Sequence, residues 1–501
     1  MAVTNHMDRP SNRVLVVFGA TGDLAARKLY PGFFHLFREG MMPEDFRIIG
    51  SGRHSPGSDD EFRERVRQAL GQHGRGELDE HWDAFAAKLS FVVSSAEAGR
   101  DLAGAVTAAE REIDAVGERL VYLSVPPGAM QDMVGMLGLT GIAERCSLVI
   151  EKPFGHDVAS ARELNAALHD VLDEESIYRI DHFLGKEAAQ NVLALRFANG
   201  LLEPIWNRDH IAYVQIDVPE AIDIQGRSGF YEQTGAFRDM IVTHLLQILG
   251  LIALEPPSRI ATAALHVERS KVFDAIRPIH PDRVVFGQYD GYRDEKDVAD
   301  DSVTETFAAL EVRVDSWRWS GVPFYLRTGK ALAEGRRTVT IGFTEAPLRI
   351  FSGEQPSDGA RPSEVVFELS DDPQVRVELM AKIPGPTMSL GRAALTLDVN
   401  QAFNGSDGLE AYERLLRDVM MGDRLLFSTS AQIERLWEVC AAVLEQRPDP
   451  LPYAKGSWGP EAAHELPITP GWRLPDGGSG ESTREPSAKN LQRGAERAGQ
   501  I

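Results

Sequence analysis

The chain has 501 residues, 43% hydrophobic and 26% charged, which excludes wholesale disorder or fibrous architecture and supplies core for two or three domains. Lys plus Arg number 53 against 75 Asp plus Glu; with a net charge of −22 and no basic run, neither nucleic acid nor anionic membrane is an expected partner. Two cysteines, Cys146 and Cys440, exclude a disulfide framework and fit a reducing compartment, and no Cys/His cluster has zinc-ligand spacing, so no metal is expected.

Met1–Arg13 is polar and has no hydrophobic signal core, so residues 1–12 read as a flexible N-terminus. Arg13–Phe18 is a β-branched run, apolar on both faces, as in a buried parallel strand. Gly19-Ala-Thr-Gly22-Asp-Leu-Ala25 follows, then a helix over Ala25–Arg38. Gly19 permits the tight turn, Gly22 lets backbone approach a pyrophosphate, and the helix N-terminus offers N–H donors. A plain strand–turn–helix fits the same fragment equally well. Phe46–Gly50 is the next strand, and its end offers Ser51 and Arg53 where an NAD enzyme usually carries Asp or Glu. Arg53 can pair with a 2′-phosphate, which favours NADP, or it is a solvated surface arginine.

A helix over Asp60–Leu70, a strand over Leu120–Val125, a strand over Leu148–Ile150 and a helix over Ala159–Leu172 continue the alternation. Strands alternating with helices predict a doubly wound Rossmann-type α/β domain, residues 13–180. Glu151-Lys152-Pro153-Phe-Gly155 lies at a strand's C-terminal end, where open α/β sheets bind ligands.

Beyond residue 180 the texture changes. Arg179-Ile-Asp181-His182-Phe-Leu-Gly-Lys186-Glu187 precedes a helix over Lys186–Phe197; His182 and Lys186, four apart, share a face suited to a doubly charged phosphate, or a salt bridge starts the helix there. Ile211–Val218, Thr304–Val314, Thr338–Phe343, Glu364–Leu369 and Gln374–Met380 read as strands of a mainly antiparallel sheet, with a helix over Thr234–Leu254 between them. His244 sits in that helix among apolar neighbours and reads as a core histidine unless a distant carboxylate such as Asp181 fixes its tautomer. The greasiest stretch, Leu245–Leu254, is too short to span a bilayer, and a cytoplasmic protein is expected. Val322–Lys330 is a strand running into a Gly-Lys turn, and Ala411–Met421 and Ala431–Leu444 are helices. Residues 181–475 are thus expected to form a larger α+β domain. Residues 476–501, rich in Gly, Ser and charge, are expected to be a disordered tail.

Four blocks in this order closely resemble the glucose-6-phosphate dehydrogenase family: Phe18–Leu29 (FGATGDLAARKL), Glu151–Gly155 (EKPFG), Arg179–Glu187 (RIDHFLGKE) and Val322–Leu332 (VPFYLRTGKAL). The resemblance implies oxidation of the C1 hydroxyl of glucose 6-phosphate to 6-phosphogluconolactone with hydride passing to NADP, the first step of the oxidative pentose phosphate pathway. It implies His244 as general base and Asp181 as its orienting carboxylate. It implies His182 and Lys186 as phosphate binders, Lys152 touching both cofactor and sugar, Glu220 and Asp239 holding sugar hydroxyls, and Lys330 and Lys28 as further substrate lysines. The NADP site would comprise Gly19, Ala20, Thr21, Gly22, Asp23, Leu24, Ala25, Ala26, Arg53 and Lys152. A homodimer or homotetramer is implied, its contact supplied by the helices and large sheet of the second half. Phe183 stands where the family commonly has Tyr, Val242 and Thr243 where Gln-Asn is common, and Gly335 where a second Lys or Arg often sits, with Arg336 a candidate replacement. The alternatives are a dehydrogenase of another sugar or sugar phosphate, and a catalytically weak cofactor-sensing relative.

Overall fold

The structure is a computed structural model that describes residues 9–475 except 76, 77, 79, 116, 117, 349, 352–360, 371, 372, 404–407, 468 and 469. The expected tail at 476–501, and residues 1–8 of the expected flexible N-terminus, lie outside the described residues.

Six strands form the first sheet: β1 (Arg13–Phe18), β2 (Phe46–Gly52), β3 (Leu89–Val93), β4 (Arg119–Leu123), β5 (Cys146–Ile150) and β6 (Ile177–Arg179). Their order is β3-β2-β1-β4-β5-β6 and every pairing is parallel, as the alternation of strands and helices predicts. Every residue of β1 is buried, which is why it carries apolar residues on both faces. An aromatic cluster of Phe34, Phe37, Phe46 and Phe85 packs beside β2 with ring centroids 5.3–6.4 Å apart. Ser58 and Glu61 form a capping box at the start of helix Asp59–His73.

The second sheet has nine strands: β7 (Ile211–Pro219), β8 (Val284–Tyr289), β9 (Phe307–Arg313), β10 (Pro323–Gly329), β11 (Thr338–Phe343), β12 (Glu364–Glu368), β13 (Gln374–Lys382), β14 (Leu390–Asp398) and β15 (Leu451–Tyr453). Their order is β14-β13-β12-β11-β7-β10-β9-β8-β15. The sheet is mainly antiparallel, with parallel pairs at β7/β10 and β8/β15. Strands β3, β6, β8, β14 and β15 had no expectation from sequence. β6 and β15 are three residues long, and β14 is largely exposed, so neither length nor alternation marks them.

The expected cut after residue 180 follows the chain, whereas compactness divides it differently. One unit gathers residues 1–199, 242–275 and 403–441; the other gathers 200–241, 276–402 and 442–501. His244 therefore belongs with the parallel sheet's unit.

Two expected helices are interrupted. Ala25–Arg38 begins with a π-helical turn, Ala25–Leu29, and becomes α-helical at Tyr30–Arg38, with Pro31 in its first turn. Thr234–Leu254 is three pieces: α-helix Ser228–Ala236, π-helix Phe237–Leu245 and α-helix Leu246–Ala253. The break falls at Gly235, whose φ of 67° suits glycine, and a Cβ there would lie 2.4 Å from Glu305 Oε1. The Phe237 N–H donates to the same carboxylate oxygen at 3.0 Å, so Glu305 caps the π-helical segment.

Candidate active site

The RIDHFLGKE block is built outward from a buried anchor. Arg179 is fully buried; its guanidinium donates to Glu174 Oε1 at 2.8 Å and to Asn165 Oδ1 at 2.9 Å. The N–H of Ile180, the first residue past β6, bonds Ile150 O at 3.0 Å, and Asp181 follows it. Asp181 Oδ1 accepts from the Phe183 N–H at 2.9 Å and pairs with His244 Nδ1 at 2.7 Å, across 63 residues of chain. A carboxylate facing Nδ1 fixes the tautomer with the proton there and leaves the Nε2 lone pair to act as base. His244 Nε2 is buried without a hydrogen-bond partner, and the imidazole side chain is 1% exposed. The condition set for His244, a distant carboxylate that fixes its tautomer, is therefore met by Asp181.

Phe183 takes a role that its sequence position did not suggest. Its ring stacks on His244 with centroids 4.6 Å apart and planes 28° from parallel, while the His182 ring meets His244 edge-on at 4.8 Å. Asp181, His182 and His244 each offer a ligand atom within 4.8 Å of the others, so they could hold a metal ion, a juxtaposition that linear spacing does not reveal. His244 Nδ1 and Asp181 Oδ1 are spent on each other, however.

Glu151 of the EKPFG block is a residue whose use sequence reasoning missed. Tyr122 Oη donates to Glu151 Oε1, and Tyr412 also bonds this carboxylate. Burial pushes the Glu151 carboxyl up, opposed by the two tyrosine hydroxyls, and burial pushes both hydroxyls well above the ordinary tyrosine range. The Tyr412 ring lies nearly parallel to His182, 14° apart at 6.3 Å. Lys152, next along, is half-buried after β5, and its bond to Pro153 is cis. Lys186 is 9% exposed and stands immediately before helix Glu187–Phe197. Lys28 is paired with Glu410 Oε2 at 3.4 Å.

At the end of β1, Gly19 has φ 69°, and a Cβ on it would sit 1.9 Å from Ser124 O. The Gly22 N–H closes the turn onto Gly19 O at 2.8 Å, and Ala20 N bonds Ser51 O at 3.2 Å. Thr21 and Asp23 are exposed, Leu24 and Ala26 are half-buried, and Ala25 is in the core. Asp23 pairs with Arg27 at 2.7 Å. Ser51 is buried with its hydroxyl committed to Val92 O and Ser94 Oγ, while Arg53, just past the strand end, is exposed, as are His54 and Ser55. A cradle closed to any side chain, beside an exposed arginine, fits a dinucleotide with a 2′-phosphate.

The remaining expected residues lie in the second unit. Glu220 follows β7, and Lys330 follows β10; Lys330 Nζ pairs with Glu220 Oε2 and lies 5.9 Å from the Tyr231 ring centroid. Tyr231, which the sequence did not single out, is buried. Its hydroxyl is pushed well above the ordinary tyrosine range by burial first, then by Asp239, Tyr453 and Glu220. Asp239 is half-buried in the π-helical segment. Arg336, the candidate replacement for a cation at Gly335, is engaged by a carboxylate. Its guanidinium donates to Asp217 Oδ2 at 2.6 Å, beside Arg327, which holds the same carboxylate.

An all-parallel sheet in the order 3-2-1-4-5-6, a glycine cradle after its first strand and a buried Asp–His pair past its last strand define a dinucleotide-dependent oxidoreductase. Residues 16–191 match the glucose-6-phosphate dehydrogenase NAD binding domain, and residues 193–473 match that family's C-terminal domain. Glucose-6-phosphate 1-dehydrogenase 2 of Mycobacterium tuberculosis is 39% identical over 487 residues, 92% of this chain and 94% of that one. The Bacillus subtilis glucose-6-phosphate 1-dehydrogenase is 35% identical over 490 residues, covering 91% and 97%. Among solved structures, the Mycobacterium avium glucose-6-phosphate 1-dehydrogenase superposes with a TM-score of 0.81 at 35% identity, covering 93% and 99% of the two chains. A glucose-6-phosphate dehydrogenase in complex with its substrate glucose-6-phosphate gives 0.83 at 31% identity, covering 91% and 97%. The chain belongs to the glucose-6-phosphate dehydrogenase family.

Proposed function

We propose that the protein oxidises the C1 hydroxyl of glucose 6-phosphate to 6-phosphogluconolactone, with hydride passing to NADP, as the entry step of the oxidative pentose phosphate pathway. The observation that carries this reading is the 2.7 Å pair between Asp181 Oδ1 and His244 Nδ1. When bound, NADP supplies the hydride acceptor, so the protein's own task is to bind, orient and remove a proton. The Gly19–Ala26 turn and Arg53 would hold it, with Lys152 reaching both cofactor and sugar. His244 takes the C1 hydroxyl proton on Nε2, and Asp181 stabilises the imidazolium that forms; general bases of this kind contribute roughly 10²–10⁴ in rate. His182 and Lys186 bind the sugar phosphate, with local positive charge that offsets the global −22. Glu220 and Asp239 accept from sugar hydroxyls, and Lys330 and Lys28 complete the substrate residues. Dinucleotide binding falls to residues 13–180, which also lend Lys28 and Lys152 to the substrate, and the rest of substrate binding and assembly falls to 181–475. The deciding assay follows absorbance at the reduced-nicotinamide band with glucose 6-phosphate, glucose, galactose 6-phosphate and fructose 6-phosphate, each with NADP and NAD. Preference for another sugar or absence of turnover would overturn the reading.

Two substitutions divide the roles. Lys186→Ala raises KM for glucose 6-phosphate by at least about tenfold, the loss of one charge-assisted contact, and leaves turnover of free glucose nearly unchanged. Equal losses with both sugars would show that Lys186 does not read phosphate. Arg53→Ala weakens NADP about tenfold and NAD far less, as titration of each reduced cofactor by fluorescence will measure. Parallel weakening of both cofactors would remove the 2′-phosphate argument.

A homodimer, or a pair of dimers, is supported by the outer edge of the second sheet, where Leu379, Leu395 and Leu397 are 40–66% exposed on β13 and β14. Sedimentation as a monomer at working concentration would count against it. The cytoplasm is supported by the cysteine-poor, acidic composition. One helical run, Ser228–Ala253, is long and apolar enough to cross a membrane by length and composition, but 83% of its most apolar window is buried inside the protein, as in a core helix.

A further inference from the structure

Four buried tyrosines form a chain of ring contacts in the second unit. Tyr231 meets Tyr292 edge-on at 6.5 Å, Tyr292 meets Tyr289 at 5.4 Å, and Tyr289 meets Tyr453 at 6.4 Å. A phenol hydroxyl taken out of water ordinarily keeps a hydrogen-bond partner, because an unmade bond costs its full desolvation. Three of the four obey. Tyr453 Oη donates to Lys330 O at 2.7 Å, Tyr292 Oη to Glu232 Oε1 at 2.6 Å and Tyr289 Oη to Glu295 Oε1 at 3.2 Å. Tyr231 is the exception. It is 3% exposed, and its hydroxyl makes no hydrogen bond among the described residues. Its surroundings say what kind of partner is missing. Lys330 Nζ lies 5.9 Å from the Tyr231 ring centroid and pairs with Glu220 Oε2. Backbone bonds fix both of these residues. The Lys330 N–H donates to Thr306 O, the Glu220 N–H to Gly329 O and the Leu332 N–H to Glu220 O, each at 2.9 Å.

We propose that Tyr231 is a further substrate-binding residue, whose hydroxyl donates to a sugar hydroxyl at C2, C3 or C4 and so sharpens the choice among sugars. The inference rests on the reading of Glu220 and Lys330 as sugar-binding residues. An ammonium, a carboxylate and a phenol with no protein partner, side by side, suit a polyhydroxylated ligand, each of whose hydroxyls both donates and accepts. Burial first, then the charges around it, keep the phenol protonated, so it serves as a donor and not as a base. The ring has a task of its own, since its contacts with Tyr292 and Lys330 hold it in place while the hydroxyl is left for the ligand. A site built to bond a substrate hydroxyl rejects an analogue lacking it, because its own polar group is then left unpaired.

The test compares kcat/KM of the wild type and Tyr231→Phe, at saturating NADP, for glucose 6-phosphate and its 2-, 3- and 4-deoxy analogues. An analogue that is not turned over is scored by its inhibition constant. Phenylalanine lowers kcat/KM for glucose 6-phosphate about three- to tenfold, the contribution of one neutral hydrogen bond. With at least one deoxy analogue the two enzymes agree within about twofold, because the contacted hydroxyl is already gone. No loss with glucose 6-phosphate overturns the proposal, as does one and the same loss with all four sugars. Stability supplies a second readout. The ligand-free Tyr231→Phe enzyme melts at or above the wild-type Tm, since the hydroxyl it lacks has no protein partner; a fall of about 2 °C or more would reveal a structural bond and overturn the proposal. Tyr292→Phe is the control. It loses the bond to Glu232, so its Tm falls and any kinetic loss is the same for every sugar. If it reproduces the analogue pattern of Tyr231→Phe, the assignment to Tyr231 is wrong. Wild-type preference for another sugar sinks the functional reading. Wild-type preference for glucose 6-phosphate beside an unaffected Tyr231→Phe sinks this inference alone.

Discussion

His244→Ala lowers kcat by at least about two decades while glucose 6-phosphate still binds. The expectation comes from three features of the residue. Asp181 at 2.7 Å holds the Nδ1 proton, so the imidazole presents Nε2 in the form that accepts one. The pair is almost completely buried, with side-chain exposures of 1% and 4%, and in a low-dielectric setting a carboxylate stabilises a newly formed imidazolium more strongly than it would in water. The rings of Phe183 and His182 limit how far the imidazole can turn. Alanine removes the proton acceptor and leaves Lys186 and His182 in place, so the loss falls on kcat more than on KM. Steady-state kinetics of the folded variant, its secondary structure checked by circular dichroism, will read this split. Near-normal turnover would remove His244 as the base. A rise in KM with kcat preserved would make it a binding residue instead.

How far the sequence reaches is clearest at the same residues. The parallel sheet was legible where its strands are buried on both faces, so β1 reads as an unbroken apolar run and could be bounded to the residue. The glycine cradle was legible because a positive φ leaves a residue-type signature. The meeting of Asp181 with His244 was not, since nothing in a linear string records a contact across 63 residues; motif resemblance supplied it. Gly235 was visible, but not the π-helical turn beyond it, because helix-breaking in the middle of an apolar run depends on Glu305, a partner distant in sequence. Glu151 was quoted within its motif without a use, because two tyrosines from elsewhere in the chain give it one. Tyr231 carried no sequence signal at all. A tyrosine on a helix reads as one more core aromatic, and only the hydrogen bonds of the tyrosines around it set it apart.

Gly19→Ala weakens NADP binding by about one to two decades, as fluorescence titration with NADPH will show. The backbone at Gly19 has φ 69°, a conformation that costs an L-residue with a Cβ about 1–2 kcal/mol. Conformation is the smaller problem, because the added methyl would sit 1.9 Å from Ser124 O and 3.0 Å from Ser124 C, main-chain atoms at the end of β4 that no rotamer change can move aside. Overpacking of this kind costs about 1–3 kcal/mol, and each 1.4 kcal/mol is a decade of affinity if the displaced backbone is the backbone that holds the cofactor. The turn has little room to absorb the shift elsewhere. Gly22 closes it with an N–H bond to Gly19 O at 2.8 Å, and a Cβ on Gly22 would itself lie 3.0 Å from that oxygen. Gly104→Ala is the matched control. It lies within helix Arg100–Glu112, where an added Cβ meets nothing within 4 Å, so alanine there stabilises by about 0.4–1 kcal/mol and leaves NADP affinity alone. If Gly19→Ala keeps wild-type affinity for NADP in a folded protein, the strand-end turn does not hold the dinucleotide, and the cofactor half of the proposed site must be sought at another edge of the sheet.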